Sequence, residues 1–187
     1  MSEVNNLSIE DANERVGFWT RLGAYCIDIV IVMVTGVLLG VFVGDHLAPI
    51  LFGEQMAQFD VLYSQLGSQF SDIMIRTFEI ISGTSITGLT LFILEGAMGQ
   101  SYGKLMLKIK NTNVDGSPAS AQTLWLRSFL KYGASLVSLI GSVLGLIFIT
   151  TLASLWSLVI FVGFFLVFMD NRQTIHDMIA KTVVSRI

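Results

Sequence analysis

Residues 132–169 form a run of 38 without a single Asp, Glu, Lys or Arg. One straight helix of that length would extend about 57 Å, and the hydrocarbon of a bilayer is about 30 Å thick. Two spans satisfy the length, read as 129–149 and 152–169 with a turn near Thr150-Thr151; a buried half-membrane hairpin is the alternative. Composition points the same way. The chain is 53% hydrophobic and 13% charged, against roughly 25% charged residues in soluble domains. So few charges cannot cover a soluble globule of this size. With 13 Phe and a net charge of -3, disorder is excluded. Cys26 is the sole cysteine, which excludes a disulfide scaffold.

Two more apolar runs precede this one. Residues 22–44 contain one charge, Asp28, and residues 77–98 carry Glu79 and Glu95 near their ends. The middle of the second run, Ser82-Gly83-Thr84-Ser85-Ile86-Thr87-Gly88, is small and hydroxylated, as suits a helix packed against protein. Gly36, Gly40 and Gly44 form a small-residue ridge on the first run, and Gly141 and Gly145 repeat the device. Whether these ridges meet helices of the same chain or of another copy is open at this level.

The charges sort by sign. Arg15 and Arg21 precede the first span; Lys104, Lys108, Lys110, Arg127 and Lys131 lie between the second and third; Arg172, Lys181 and Arg186 follow the fourth. The segment between the first two spans holds only Arg76 against Asp45, Glu54, Asp60 and Asp72. The positive-inside rule therefore puts both termini and the 99–127 loop in the cytoplasm, which requires an even number of spans.

The expected fold is an all-α polytopic membrane bundle. It has four transmembrane helices at about 22–44, 77–98, 129–149 and 152–169. A polar cytoplasmic segment 1–17 precedes the 18–184 membrane domain, and a cytoplasmic tail 170–187 closes the chain. Segment 45–75 is expected to be an external amphipathic helix, because Phe52, Met56, Phe59, Tyr63, Leu66, Phe70 and Ile73 recur at helical spacing. That stripe lies on the membrane or the span mouths, or joins two copies of the chain. In the 99–127 loop, Leu105, Leu107 and Ile109 alternate, Asp115-Gly116 marks a turn, and Ser120 can cap a following helix. Residues 182–187 also read as a strand, and the two segments can pair as a small cytoplasmic β pair.

Asp28 is the most informative side chain. Arg21, Ala24 and Asp28 share one helix face, and a carboxylate at membrane depth costs about 2.5–3.5 kcal/mol on insertion scales. It is expected to face the interior and either to have a partner or to be protonated. Either it serves an ion, proton or substrate, or it ties helices together structurally. Thr84, Gly88, Leu91 and Glu95 form a second stripe, for which Arg127 and Lys131 are candidate partners. Glu79 is three residues from Arg76, which predicts a local pair. Gly99-Gln100-Ser101-Tyr102-Gly103-Lys104 is one residue short of a phosphate loop, with Leu105 where a hydroxyl belongs. His176-Asp177 lacks companions for a metal site.

In combination these stretches resemble the RDD family of membrane proteins. Phe18-Trp19-Thr20-Arg21-Leu22-Gly23-Ala24-Tyr25-Cys26-Ile27-Asp28 resembles its opening, with an Arg at the start of the first helix and an Asp in its middle. Gly99-Gln100-Ser101-Tyr102-Gly103-Lys104-Leu105 resembles its Gly-x-Thr-x-Gly-Lys loop, with Ser101 replacing the usual Thr. Leu126-Arg127 resembles its Leu-Arg before the next helix. Asn171-Arg172-Gln173-Thr174-Ile175-His176-Asp177, then Ala180-Lys181-Thr182-Val183-Val184, resembles its C-terminal motif, with Lys181 replacing a Gly; Asp177 is taken as the second named Asp. The resemblance implies a membrane protein with suspected transport. It groups Arg21, Asp28, Glu95, Arg127 and Asp177 as an intramembrane charge network or binding site, with Gly99, Ser101, Gly103, Lys104 and His176 as motif residues near the cytoplasmic face.

The functional expectation is transport or coupling of a small ion or solute around Asp28. The alternative is a non-enzymatic assembly, scaffold or accessory protein whose Arg/Asp network is structural. No catalytic residue, metal or cofactor is expected. The expected partners are the lipid bilayer and a second copy or another membrane protein, with no nucleic acid. The expected location is a bacterial cytoplasmic (inner) membrane.

Overall fold

The structure is a computed structural model that describes residues 15–63 and 67–187, without the side chains of residues 62 and 63. Positions 1–14 of the expected N-terminal segment, the Tyr63 side chain and Leu66 therefore lie outside the described residues. The elements are α1 (Phe18–Tyr63), α2 (Ser68–Met98), α3 (Tyr102–Met106), β1 (Ile109–Asn113), α4 (Ala121–Val143), α5 (Ile147–Phe164), a 3-10 turn (Phe165–Phe168), α6 (Ile175–Ile179) and β2 (Thr182–Arg186). The chain forms two compact units. One comprises 15–29, 91–133 and 157–187, the other 30–90 and 134–156.

Three helical stretches are long and apolar enough to cross a membrane: Phe18–Val61, Ser68–Met98 and Ile147–Phe168. The sequence expectation was four. The difference lies in α4, which starts at Ala121 rather than 129 and so takes in Arg127 as well as Lys131. It also ends early. The turn to α5 falls at residues 144–146 rather than at Thr150-Thr151, and Gly145 adopts φ 66° there. The positive φ calls for glycine there, and a Cβ would also displace the Glu54 carboxylate.

The helix expected outside the membrane is likewise redrawn. Helix α1 runs on from the first span, with Pro49 inside it and non-helical backbone at Phe52 (φ -138°, ψ 22°). The break lies beyond Pro49, whose clash falls on the turn before it, and directly ahead of Gly53. The second arm ends at Tyr63, and Phe70 and Ile73 already belong to α2. The predicted stripe is thus divided between two helices, with Gly67 at φ 106° before the second. Phe52 and Phe59 rest on Phe78 at ring-centroid distances of 5.9 and 5.8 Å. Phe70 and Ile73 stay exposed.

In the 30–90 and 134–156 unit the glycine ridge of α1 meets α2 within the chain. A Cβ on Gly40 would lie 2.7 Å from the Glu79 carbonyl oxygen and from Ile80 Cα, and one on Gly36 would lie 2.6 Å from Thr84 Cα. The hydroxyls of the small stretch return to their own backbone: Ser82 Oγ donates to Phe78 O at 2.7 Å and Thr87 Oγ1 to Gly83 O at 2.9 Å. These hydroxyls are satisfied within their own helix, so the helices can approach closely. On the other side of α1, Val30, Val34, Leu38 and Phe42 are exposed, an apolar stripe that suits lipid. The expected Arg76–Glu79 pair is present at 2.7 Å.

The other unit carries the strands. β1 and β2 pair antiparallel, from Ile109 opposite Arg186 to Asn113 opposite Thr182. The predicted turn and cap are both present. Asp115 Oδ1 accepts from Ser117 N–H at 3.0 Å, with Gly116 at φ 79°, and Ser120 Oγ accepts from Thr123 N–H at 3.2 Å. Val16, Ala24, Ile109 and Val184 form its apolar core. Phe18 anchors the start of α1 on Phe164 and Phe168, at 5.4 and 4.3 Å.

Candidate functional site

The unit that carries the strands also holds a buried ionic centre. Arg21 stands in the first turn of α1, where its side chain folds back toward the chain end. Its Nε donates to Val16 O at 2.9 Å, Nη2 to Arg172 O at 2.7 Å, and Nη1 to Asp177 Oδ2 at 2.5 Å. Asp177 is the third residue of α6 and also caps that helix, accepting from Thr174 N–H at 3.2 Å. Its other oxygen takes Arg127 Nε at 2.7 Å and Nη2 at 2.6 Å. Arg127 then reaches Glu95 Oε2 with Nη1 at 2.6 Å.

Glu95 collects five donors. Oε2 takes Arg127, Lys104 Nζ at 3.0 Å and Asn111 Nδ2 at 3.4 Å. Oε1 takes Lys131 Nζ at 2.5 Å and the Tyr132 hydroxyl at 2.9 Å. Asn111 Oδ1 accepts from Lys104 Nζ at 2.8 Å and closes the ring. Glu95 and Asp177 are wholly buried, and Arg21, Lys104 and Arg127 nearly so. Burial of this depth is tolerated because each charge has an opposite partner and further hydrogen bonds within the ring. Four cationic groups face two carboxylates, which leaves a surplus of positive charge.

The electrostatics outside the spans follow from this geometry. Burial works against ionising Asp177, but the Arg127 and Arg21 guanidiniums outweigh it and hold the carboxyl well below the usual range. Burial, reinforced by Arg127, pushes Lys104 well below the usual lysine range, against the pull of Glu95. His176 is pushed down to about 3 by burial, with Asp177 opposing the shift. Its Nε2 lies 3.0 Å from Thr174 Oγ1, and Nδ1 has no partner among the described residues. It is a neutral packing residue at physiological pH.

Asp28 stands apart from the ring. It is buried, and its Oδ1 accepts from Gly103 N–H at 2.7 Å. Among the described residues no Lys, Arg or His forms an ion pair with it. Gly103 is needed there because a Cβ would drive into the Ala24 carbonyl oxygen. Ser101 caps α3, accepting from Lys104 N–H at 3.4 Å, and Gly99 turns the chain at φ 72°. The Gly-Lys stretch therefore positions a helix turn against α1. Its lysine is spent on Glu95 and Asn111 rather than offered to a phosphate.

All ten residues singled out from the sequence lie in this unit. Arg21, Glu95, Lys104, Arg127 and Asp177 form one continuous network, and the anticipated pairing of Glu95 with Arg127 and Lys131 is present. Asn111, Tyr132 and Thr174 were missed. Asn111 shares the inward strand face with Ile109, which was the available signal; nothing in its neighbourhood marks Tyr132. Among the described residues no group of three His, Cys, Asp or Glu gathers to hold a metal.

A profile of the RDD family matches residues 15–181, most of the chain. No curated protein and no solved structure matches it.

Proposed function

The chain belongs to the RDD family, and on that premise we propose a four-span, non-enzymatic membrane protein that passes or couples a small ion or solute around Asp28. One observation carries the reading. Of the buried acidic residues Asp28, Glu79, Glu95 and Asp177, Asp28 alone lacks an ion-pair partner among the described residues. An unpaired carboxylate at membrane depth is costly, and a transient partner is what such a group awaits. The surplus positive charge of the ionic centre admits an anionic solute as well as a cation. The sign follows from which gradient depends on Asp28.

Four spans are supported by parity. β1 pairs with β2, and Arg15 bridges Ser185. The start of α1, the α2–α4 connection and the chain end therefore share one side. An even number of crossings separates each from the next, so α4 crosses together with α5. Its two basic side chains are engaged in the ionic centre. Lys108, Lys110, Lys181 and Arg186 on that side make it cytoplasmic by the positive-inside rule, in a bacterial inner membrane. Four spans are few for a pathway, and a second copy completes the wall.

The test is flux in proteoliposomes under proton, sodium and chloride gradients, with Asp28→Asn. Asparagine keeps the oxygen that accepts from Gly103, so the fold is retained. Loss of flux at unchanged abundance is expected; unchanged flux would remove Asp28 from the mechanism. The second reading, an accessory protein with a structural network, is favoured by the saturation of Glu95 and Asp177. It predicts no flux under any gradient and a stoichiometric partner co-purifying from native membranes.

A further inference from the structure

We infer that the ionic centre lies at the junction of two equivalent halves of the chain, and that Lys104 and Asp177 are two copies of one position. The equivalence is an offset of 73 residues, the separation of Thr112 and Ser185, whose hydroxyls meet at 2.9 Å. Under this offset, helix Tyr102–Met106 becomes Ile175–Ile179, and strand Ile109–Asn113 becomes Thr182–Arg186. The cap Ser101 (φ -96°, ψ 177°) becomes Thr174 (φ -86°, ψ 167°).

The unusual backbone repeats as well. Gly99 and Arg172 both have positive φ, at 72° and 49°, and Lys108 and Lys181 both stand at 53°. Side chains with a Cβ adopt that region at a cost, so its recurrence at two corresponding places is specific. Hydrogen bonds repeat atom for atom. Gln100 Nε2 donates to Ile109 O at 2.9 Å, and Gln173 Nε2 to Thr182 O at 2.8 Å. Leu105 N–H donates to Ser101 O at 2.9 Å, and Met178 N–H to Thr174 O at 2.9 Å; Lys108 N–H donates to Leu105 O, and Lys181 N–H to Met178 O, both at 3.3 Å.

The strand pair has the symmetry such halves require. Asn111 faces Val184, its own equivalent, so a local twofold axis passes through that pair. The residue ahead of each helix pair then bridges the strand of the other half: Arg15 meets Ser185 and Pro118 meets Thr112, which are equivalent positions. Each half opens with Trp-x-Arg, as Trp19-Thr20-Arg21 and Trp125-Leu126-Arg127, and both arginines enter the centre. The halves diverge where they face it, with Gly103 against His176 and Lys104 against Asp177. A symmetric ring of like charges would repel itself. The Lys-to-Asp difference supplies the carboxylate that binds Arg21 and Arg127 together.

Membrane carriers built from parallel repeats keep their sites at the repeat interface. The inference thus deepens the proposed function, but its test is read from folding and does not depend on flux. Gln100→Leu and Gln173→Leu each remove the same bond in the two halves. Each is expected to lower the thermal midpoint by about 2–4 °C, with comparable losses. A loss in one variant and none in the other would overturn the equivalence. A circular permutant tests the exchange of halves. Ile187 is fused to Met1 and the chain is opened between Asp115 and Gly116, so every residue is retained. It is expected to purify at the parent size, with a midpoint within about 4 °C. If the permutant does not fold, the glutamine pair decides: comparable losses uphold the proposal and a one-sided loss overturns it.

Discussion

The two units of this chain solve the problem of holding helices together by opposite means. The unit with the strands uses charge: two arginines and two lysines converge on Glu95 and Asp177 in direct contact. The other uses absence of side chain, bringing backbones together at Gly36, Gly40 and Gly83 so that dispersion and close fit do the work. An ionic network demands defined partners and angles, so it specifies one arrangement of short turns and strands. A glycine ridge specifies only distance, and it tolerates no added atom.

The comparison can be broken most forcefully at Asp177. Asp177→Ala leaves Arg21 and Arg127 buried without their shared partner, and a loss of about 3–5 kcal/mol is expected. Thermal unfolding in detergent should show it, together with reduced abundance in membranes. A loss below about 1 kcal/mol would mean that the pair behaves like an exposed one and that water reaches the centre.

The matching change in the other unit is Gly40→Val. Its Cβ meets backbone, which cannot rotate away, so the helices must separate at a cost of about 1–3 kcal/mol. The ionic centre should survive this change. Near-native protection of the β1 and β2 amides in hydrogen exchange would show that it does, whereas loss of that protection would mean that the two units fold as one.

A smaller effect sharpens the charge side. His176 titrates at about 3 when folded and near 6.5 when unfolded. As pH falls from about 6.5 to 3, the unfolded chain takes up a proton that the folded chain refuses, so stability is lost. The slope contributed is at most about 1.4 kcal/mol per pH unit. His176→Asn should flatten that part of the pH profile of the thermal midpoint. An unchanged slope between about pH 6.5 and 4 would mean that the folded chain does not keep His176 neutral, because the loss from Asp177 sets in only below about pH 4.

Legibility from the sequence varied with the range of the interaction. The Asp115-Gly116 turn, the Ser120 cap and the Arg76–Glu79 pair involve neighbours within four residues, and all could be read directly. Glu95 with Arg127 and Lys131 was readable because one helical turn separates the two cations and the stripe on α2 ends at the carboxylate. The break between α1 and α2 was hard to place, since the apolar spacing runs through it unaltered; Gly67, at φ 106°, was its local mark, and the return of α2 against Phe59 completes it. For Asn111 only the inward strand face it shares with Ile109 could be read; its two partners, Lys104 and Glu95, come from different elements.

The sequence by itself determined that long apolar helices dominate, where the charges collect, that two short segments pair as strands, and which family the chain belongs to. These follow from composition, period and local chemistry. Spacing alone gave Glu79 and Glu95 their partners; only the tertiary structure decided that Asp177 is paired and Asp28 is not. Glu95 and Asp177 lie among cations brought from distant stretches of chain, and Asp28, the acid most conspicuous in the sequence, meets a backbone N–H instead. Pairing depends on where side chains arrive in space, and a one-dimensional charge pattern carries no such distances.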